Sequence, residues 1–210
     1  MIKEVIFDLD GTLVDSLDTF IKIGNEMAEK YGYKPISQEK IKELLKLPMR
    51  KRIEALEIPI YKLPKMGIEL LNNFNSYAAV VKPVKGVGEV LESLSRGGYG
   101  LNIVSSNSEH NIRAFLEANN MNLFENIQSS RSLFGKHVTI GKLISKLGVE
   151  KDEVIYIGDE QRDVEASKKT GIRVISVLWG MDTRELIEDA GPDFIAASPE
   201  EIVDIITAIK

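Results

Sequence analysis

Cysteine is absent from the 210-residue chain. That excludes disulfides, cysteine-ligated zinc and a thiol nucleophile together. Histidine occurs only at His110 and His137. Neither has a second histidine at metal-ligand spacing, and both are expected at the surface. No stretch approaches the roughly 20 apolar residues of a membrane-spanning helix. The apolar run that opens the chain is too short for a secretory signal, and carboxylates interrupt it. The chain is therefore expected to be cytoplasmic and to have no membrane partner. Basic residues are in deficit, with 27 Lys and Arg against 32 Asp and Glu. A net charge of −5 disfavours nucleic acid, whose binding rests on neutralising phosphates. No GxxxxGK[ST] phosphate loop occurs, and Gly86-Val87-Gly88 lacks the third glycine of a dinucleotide fingerprint.

What is present is a globular composition, 43% hydrophobic and 28% charged, which argues against disorder. At roughly 150 residues per domain the length amounts to about 1.4 domains. A core domain carrying an insertion fits that length.

From Val84 onward, helices and strands alternate. Apolar periodicity predicts helices over 86–96, 109–117, 138–147, 162–169, 183–189 and 199–209. Short apolar runs predict strands over 101–104, 154–157, 173–178 and, weakly, 194–195. One more strand opens the chain, over 5–9. This alternation predicts an α/β fold with a mainly parallel sheet and helices on both faces. The strands read as continuous apolar runs, as strands covered on both faces should. Residues 16–81 break the pattern. They carry four helical stretches, over 17–31, 37–45, 49–56 and 63–77, with breaks at Gly32, Pro35, Pro48 and Pro59. The expected organisation is a core of residues 1–15 and 82–210, with a helical insertion at 16–81. The insertion has 11 Lys and Arg against 8 Asp and Glu, and the remainder 16 against 24.

Four constellations stand out, the first three just past strand ends, where open α/β sheets bind ligands. The first is Asp8-Leu9-Asp10-Gly11-Thr12-Leu13-Val14-Asp15-Ser16. Strand alternation would point Asp8 and Asp10 the same way. Carboxylates that close repel unless a cation intervenes, and a hard cation such as Mg²⁺ is the natural solution. The second is Gly158-Asp159-Glu160-Gln161-Arg162-Asp163. Asp159 is expected to complete the cation site, and Asp163 lies in the first turn of the next helix, where it could also serve as a cap. The third is Ser105-Ser106-Asn107, whose hydroxyls and amides could hold an anion or simply cap a helix. The fourth is Lys136, which by itself would read as a solvated lysine.

Together these motifs resemble the haloacid-dehalogenase-like hydrolase superfamily. DxDGTLxDS is matched in full, GDxxxD fits the fourth motif, and Ser105 and Lys136 fall at the second and third. The third motif departs from the frequent Lys-Pro-x-Pro, reading Lys136-His137-Val138-Thr139. The layout is most similar to the phosphoglycolate-phosphatase-like branch, with a helical cap inserted after the first motif. The resemblance implies a Rossmann-like, three-layer α/β/α core with a small all-helical cap domain.

It also implies roles. Asp8 would be the nucleophile that forms an aspartyl-phosphate, and Asp10 the general acid–base. Asp8, the Asp10 carbonyl, Asp159 and Asp163 would hold Mg²⁺. Ser105 and Lys136 would bind the phosphoryl oxygens, with Ser106 and Asn107 beside them, and Thr12 would order the first loop. Arg50, beside Leu47-Pro48-Met49, is the candidate cap residue for substrate. A carboxylate at Asp10 points away from dehalogenation and toward phosphate chemistry. The function implied is a Mg²⁺-dependent phosphatase for a small phosphate monoester, phosphoglycolate-like, or for pyrophosphate. A sugar phosphomutase of the β-phosphoglucomutase type stays open, as does a phosphometabolite-binding protein without activity. A monomer or homodimer is expected.

Overall fold

The computed structural model describes residues 1–77, 80–130 and 134–209, with Ile60 described through its backbone only. Residues 78–79 of the expected insertion, and 131–133 and 210 of the expected core, lie outside the described residues.

Six parallel strands form one sheet in the order β3-β2-β1-β4-β5-β6. They are β1 (Glu4–Phe7), β2 (Gly100–Ser105), β3 (Asn126–Ser129), β4 (Val154–Gly158), β5 (Arg173–Val177) and β6 (Phe194–Ala196). This is the doubly wound order, whose reversal point lies between β1 and β4. Val5 pairs with Leu101 on one side and Ile155 on the other, which places β1 in the middle.

Alternate side chains of each central strand enter different buried clusters. Val5, Phe7, Ile155 and Ile157 join Val90, Leu94, Phe115 and Ile202 on one face. Ile6, Val154 and Tyr156 join Ile140, Leu143 and Val164 on the other. The first helical layer is therefore α5 (Val87–Arg96), α6 (Glu109–Ala118) and α10 (Pro199–Ala208). The second includes α7 (Lys136–Leu147) and α8 (Gln161–Thr170). A short helix α9 (Arg184–Ala190) precedes β6. Three α/β/α layers follow directly from period-two alternation in strands apolar on both faces.

Between β1 and α5 lie α1 (Leu17–Tyr31), α2 (Gln38–Leu44), α3 (Met49–Ala55) and α4 (Leu63–Phe74), the last preceded by a single 3-10 turn. Helix α1 stops at Gly32, whose left-handed φ of 73° lets its amide close the last turn. Phe20 of α1 stacks on Phe74 of α4 at 4.8 Å, and the Tyr31 hydroxyl donates to Glu69 at 2.6 Å. Ile23, Met27 and Phe74 belong to the same buried cluster as Leu13 and Val81 at the junctions with the sheet.

Two differences from the sequence reading stand out. Strand β3 was not expected, because Asn-Ile-Gln-Ser is short and polar and its four residues are all half-buried. As an edge strand it has one neighbour, β2, and Asn126 donates to Asn102 across that pair at 2.8 Å. The first strand also ends at Phe7 rather than at residue 9. The amides of Thr12, Leu13 and Val14 fold back onto the Leu9 carbonyl, so Asp8 and Asp10 do not share an extended strand.

Candidate active site

The expected residues of the four motifs meet at the carboxyl end of the sheet. The Asp8 amide extends the β1–β4 ladder, donating to the Ile157 carbonyl at 2.8 Å. Its buried carboxylate accepts from the Leu9 amide at 2.7 Å through Oδ1 and from Lys136 Nζ at 2.6 Å through Oδ2. Lys136 opens α7 and is itself buried, 5.5 Å from the ring centre of Tyr156. Its Nζ also donates to Asp163 Oδ1 at 2.5 Å. Burial draws the ammonium pKa down, but Asp163 and Asp8 outweigh that and raise it, so Lys136 stays charged.

Asp163 sits in the first turn of α8. Its second oxygen accepts from the Glu160 amide at 3.2 Å while Glu160 caps the helix in return. Asp8, Glu160 and Asp163 each place a carboxylate oxygen within 4.8 Å of the others. Glu160 was not singled out from the sequence, where it filled a variable place of GDxxxD. Its Oε2 pairs with Arg162, while its Oε1 is buried with no hydrogen-bond partner among the described residues. Burial raises Asp163 to about 6, against the opposing pull of Lys136. It also raises the neighbouring Asp159 well above the carboxylate range, with Glu160, Asp163 and Asp8 adding to the shift. Closely set buried carboxylates and an orphaned carboxylate oxygen form a donor set that fits a hard divalent cation.

Asp159 lies next to this group but turns its carboxylate elsewhere. Oδ1 accepts from the Thr12 hydroxyl at 3.0 Å, and Oδ2 accepts from the Met181 amide at 2.8 Å. Gly11 and Gly180 flank it. A Cβ on either would fall 2.1 Å from an Asp159 atom, and Gly11 also has a φ of +75°. The Gly-Thr of the first motif thus has a physical reason. Glycine admits the Asp159 side chain, and Thr12 binds it while its carbonyl accepts from Trp179 at 3.1 Å.

Asp10 is held by Asn107, whose Nδ2 donates to Oδ2 at 2.8 Å. Asn107 is oriented in turn by the Ser108 amide and by Asn111, which also donates to the Leu71 carbonyl of α4 at 3.0 Å. Asp10 Oδ1 is buried with no hydrogen-bond partner among the described residues. Burial pushes the Asp10 carboxyl up to about 7, the charge on Asp8 adds to the shift, and Asn107 opposes it. A protonated carboxyl here can donate.

Ser105 ends β2 and accepts from the Asn107 amide at 3.2 Å. Ser106 accepts from Arg162 at 3.1 Å, which ties the second motif to the fourth. Arg50 holds its guanidinium 4.5 Å above the Phe134 ring. With Pro48, Glu160, Gln161, Arg162 and Asp182 it lines a cavity of about 60 Å³. A larger, open groove of about 590 Å³ lies at the opposite end of the sheet, beside Lys151 and Arg173, and contains none of these residues.

This geometry coincides with a family signal along the chain. The profile of haloacid dehalogenase-like hydrolases matches residues 5–177. The chain is 30% identical over 208 residues to a phosphoglycolate phosphatase of Synechococcus elongatus, covering 99% of this chain and 98% of that one. It is 22% identical to the pyrophosphatase PpaX of Anoxybacillus flavithermus, over 98% and 97% of the two chains. The fold matches a haloacid dehalogenase-like family hydrolase from Streptococcus pneumoniae with a TM-score of 0.82, 21% identity and 98% coverage of each chain. The protein belongs to the haloacid dehalogenase-like hydrolase family.

Proposed function

We propose that the protein is a Mg²⁺-dependent phosphatase for a small phosphorylated metabolite, with phosphoglycolate the first substrate to test and pyrophosphate the second. The observation that carries this reading is the placing of Asp8 at the end of β1, bonded to buried Lys136 and grouped with Glu160 and Asp163. The names of its relatives, a phosphoglycolate phosphatase and a pyrophosphatase, support the choice of substrates.

In this reading the Asp8 carboxylate attacks phosphorus, forming an aspartyl-phosphate as the bond to the leaving oxygen breaks. Asp10 is protonated at the start and gives its proton to that oxygen. It then takes a proton from the water that hydrolyses the intermediate, returning the enzyme to its first state. Lys136 steadies Asp8 and offsets phosphoryl charge. Ser105, Ser106 and Asn107 face the phosphoryl group, Asn107 also holding Asp10, and Thr12 orders the loop between. Asp8, Glu160 and Asp163 would hold the Mg²⁺, with the Asp10 carbonyl and Asp159 the further ligands expected from the motifs. A bound Mg²⁺ supplies positive charge that eases the approach of an anionic nucleophile to an anionic phosphate.

We further assign residues 1–15 and 82–210 to the catalytic core and 16–81 to a cap, with Arg50 reaching the substrate from the cap side. Phosphate release from phosphoglycolate, pyrophosphate and hexose phosphates, with and without Mg²⁺, tests the reading. Release that depends on Mg²⁺ and is lost in Asp8→Asn is the expected result. Isomerisation of glucose 1-phosphate without phosphate release would replace the reading with a mutase.

A further inference from the structure

Asp182, in the loop between β5 and α9, joins two parts of the chain through its two oxygens. One pairs with Arg52 of α3. The other accepts from the amide of Gln161, the first residue of α8, at 2.6 Å. Gln161 directly follows Glu160 and lies two residues before Asp163, so the amide that Asp182 holds sits between two members of the acidic group. Both Arg52 and Asp182 are buried.

The other partners of Arg52 belong to its own segment. Nε donates to the carbonyls of Leu44 at 3.0 Å and Leu47 at 2.8 Å, and Nη2 to that of Leu45 at 3.0 Å. These carbonyls at and beyond the end of α2 are of the kind a helix leaves unsatisfied. One guanidinium therefore fixes the α2–α3 turn and carries it to the loop after β5. Breaking a buried pair leaves an uncompensated charge, so the contact favours being wholly made or wholly released.

A small cavity adjoins Asp182. Pro48, Met49 and Arg50 line it from the α2–α3 segment, and Glu160, Gln161 and Arg162 from the start of α8, so the two segments that Asp182 joins face each other beside the acidic group.

We propose that Arg52 is a positioning residue that acts through Asp182 on the start of α8. Seating of the α2–α3 segment and ordering of Glu160 and Asp163 are then one event. The inference rests on the acidic group being the cation site, and it adds a control on that site from a helix that supplies none of its carboxylates. A merely structural Arg52 would steady the α2–α3 turn and leave residues 160–163 untouched.

The test is Mg²⁺ titration calorimetry and amide hydrogen exchange on the full chain, comparing Arg52→Met and Asp182→Asn with the parent. Arg52→Met should speed exchange at 161–163, far in sequence from the substitution, and weaken Mg²⁺ binding by about tenfold, as losing an outer support of a metal site does. Asp182→Asn keeps the Arg52–carbonyl bonds, so the α2–α3 turn stays capped where Arg52→Met leaves it open. It should weaken Mg²⁺ binding comparably and loosen 49–55. Exchange changes confined to 44–55 in Arg52→Met, with Mg²⁺ affinity unchanged, would overturn the proposal. So would unchanged affinity and unchanged exchange at 49–55 in Asp182→Asn. If the parent binds Mg²⁺ but releases no phosphate from any ester, the proposed function fails while this test still reads. If the parent binds no Mg²⁺, the exchange arm decides alone.

Discussion

Lys136 crosses from the start of α7 to the end of β1 and donates to Asp8 at 2.6 Å, with both side chains buried. The same ammonium bonds Asp163, so one cation holds two of the three grouped carboxylates. The strand-end carboxylates pointed to Asp8 directly, whereas only the family resemblance placed Lys136 at the site. The lysine alone, in a run without the usual prolines, would have passed for a surface residue.

Lys136→Met should therefore damage both activity and stability. Removing one member of a buried pair costs about 3–5 kcal/mol, and loss of an aimed charge slows a phosphoryl transfer by roughly 100-fold or more. Urea melts and phosphate release check the two effects separately. Added Mg²⁺ should restore part of the stability, because it replaces the lost positive charge, and little of the rate.

Glycine substitutions should sort by what a Cβ would meet. Gly11→Ala drives a methyl into the Asp159 carboxylate at a left-handed φ, and should destabilise by about 2–4 kcal/mol. Gly180→Ala meets the same side chain and should be similarly harmful. Gly141, within α7, has none of the described residues within 4 Å of such a Cβ, so Gly141→Ala should stabilise by about 0.5–1 kcal/mol. Chemical denaturation of the three variants measures all of this.

Much of this was legible in the sequence. The central strands announced themselves as apolar runs because helices cover both their faces, and Asp8, Asp10, Asp159 and Asp163 fell beside strand ends. The parts that were not legible each have a physical cause. Strand β3 is polar and half-buried because it lies at an edge. Glu160 joins the acidic group only because the α8 cap turns it inward, and Asp159 turns away because Gly11 and Gly180 leave room for it. The Arg52–Asp182 pair spans 130 residues, and no local pattern marks it.

The metal-free protein should lose stability as pH rises. Asp10 is raised to about 7 and Asp163 to about 6, chiefly by burial. A carboxyl whose folded pKa lies above the ordinary value of about 4 binds its proton more tightly when folded, so its stabilising contribution is complete below about pH 4. That contribution falls away as pH climbs through the folded values, toward 7 for Asp10. In chelator, the urea midpoint should be higher near pH 5 than near pH 8. Asp10→Asn should flatten the difference, and Mg²⁺ should help most at the alkaline end.

Asp163→Asn and Asp159→Asn should both weaken Mg²⁺ binding, by different routes. Asp163 belongs to the grouped carboxylates, so its loss should lower affinity by about tenfold or more while the Thr12–Asp159 contact persists. Asp159→Asn should also weaken the bonds to Thr12 and Met181 that close the first loop. Calorimetry paired with melting temperature separates them, with the larger thermal loss expected for Asp159→Asn.

The most direct test of the account is rapid acid quenching during turnover of phosphoglycolate or pyrophosphate, followed by mass analysis of the peptide that contains Asp8 and Asp10. A transient peptide heavier by one phosphoryl group is expected, with the group on Asp8, absent in Asp8→Asn and longer-lived in Asp10→Asn. Phosphate release at full rate from Asp8→Asn, with no phosphorylated peptide at any time, would contradict it.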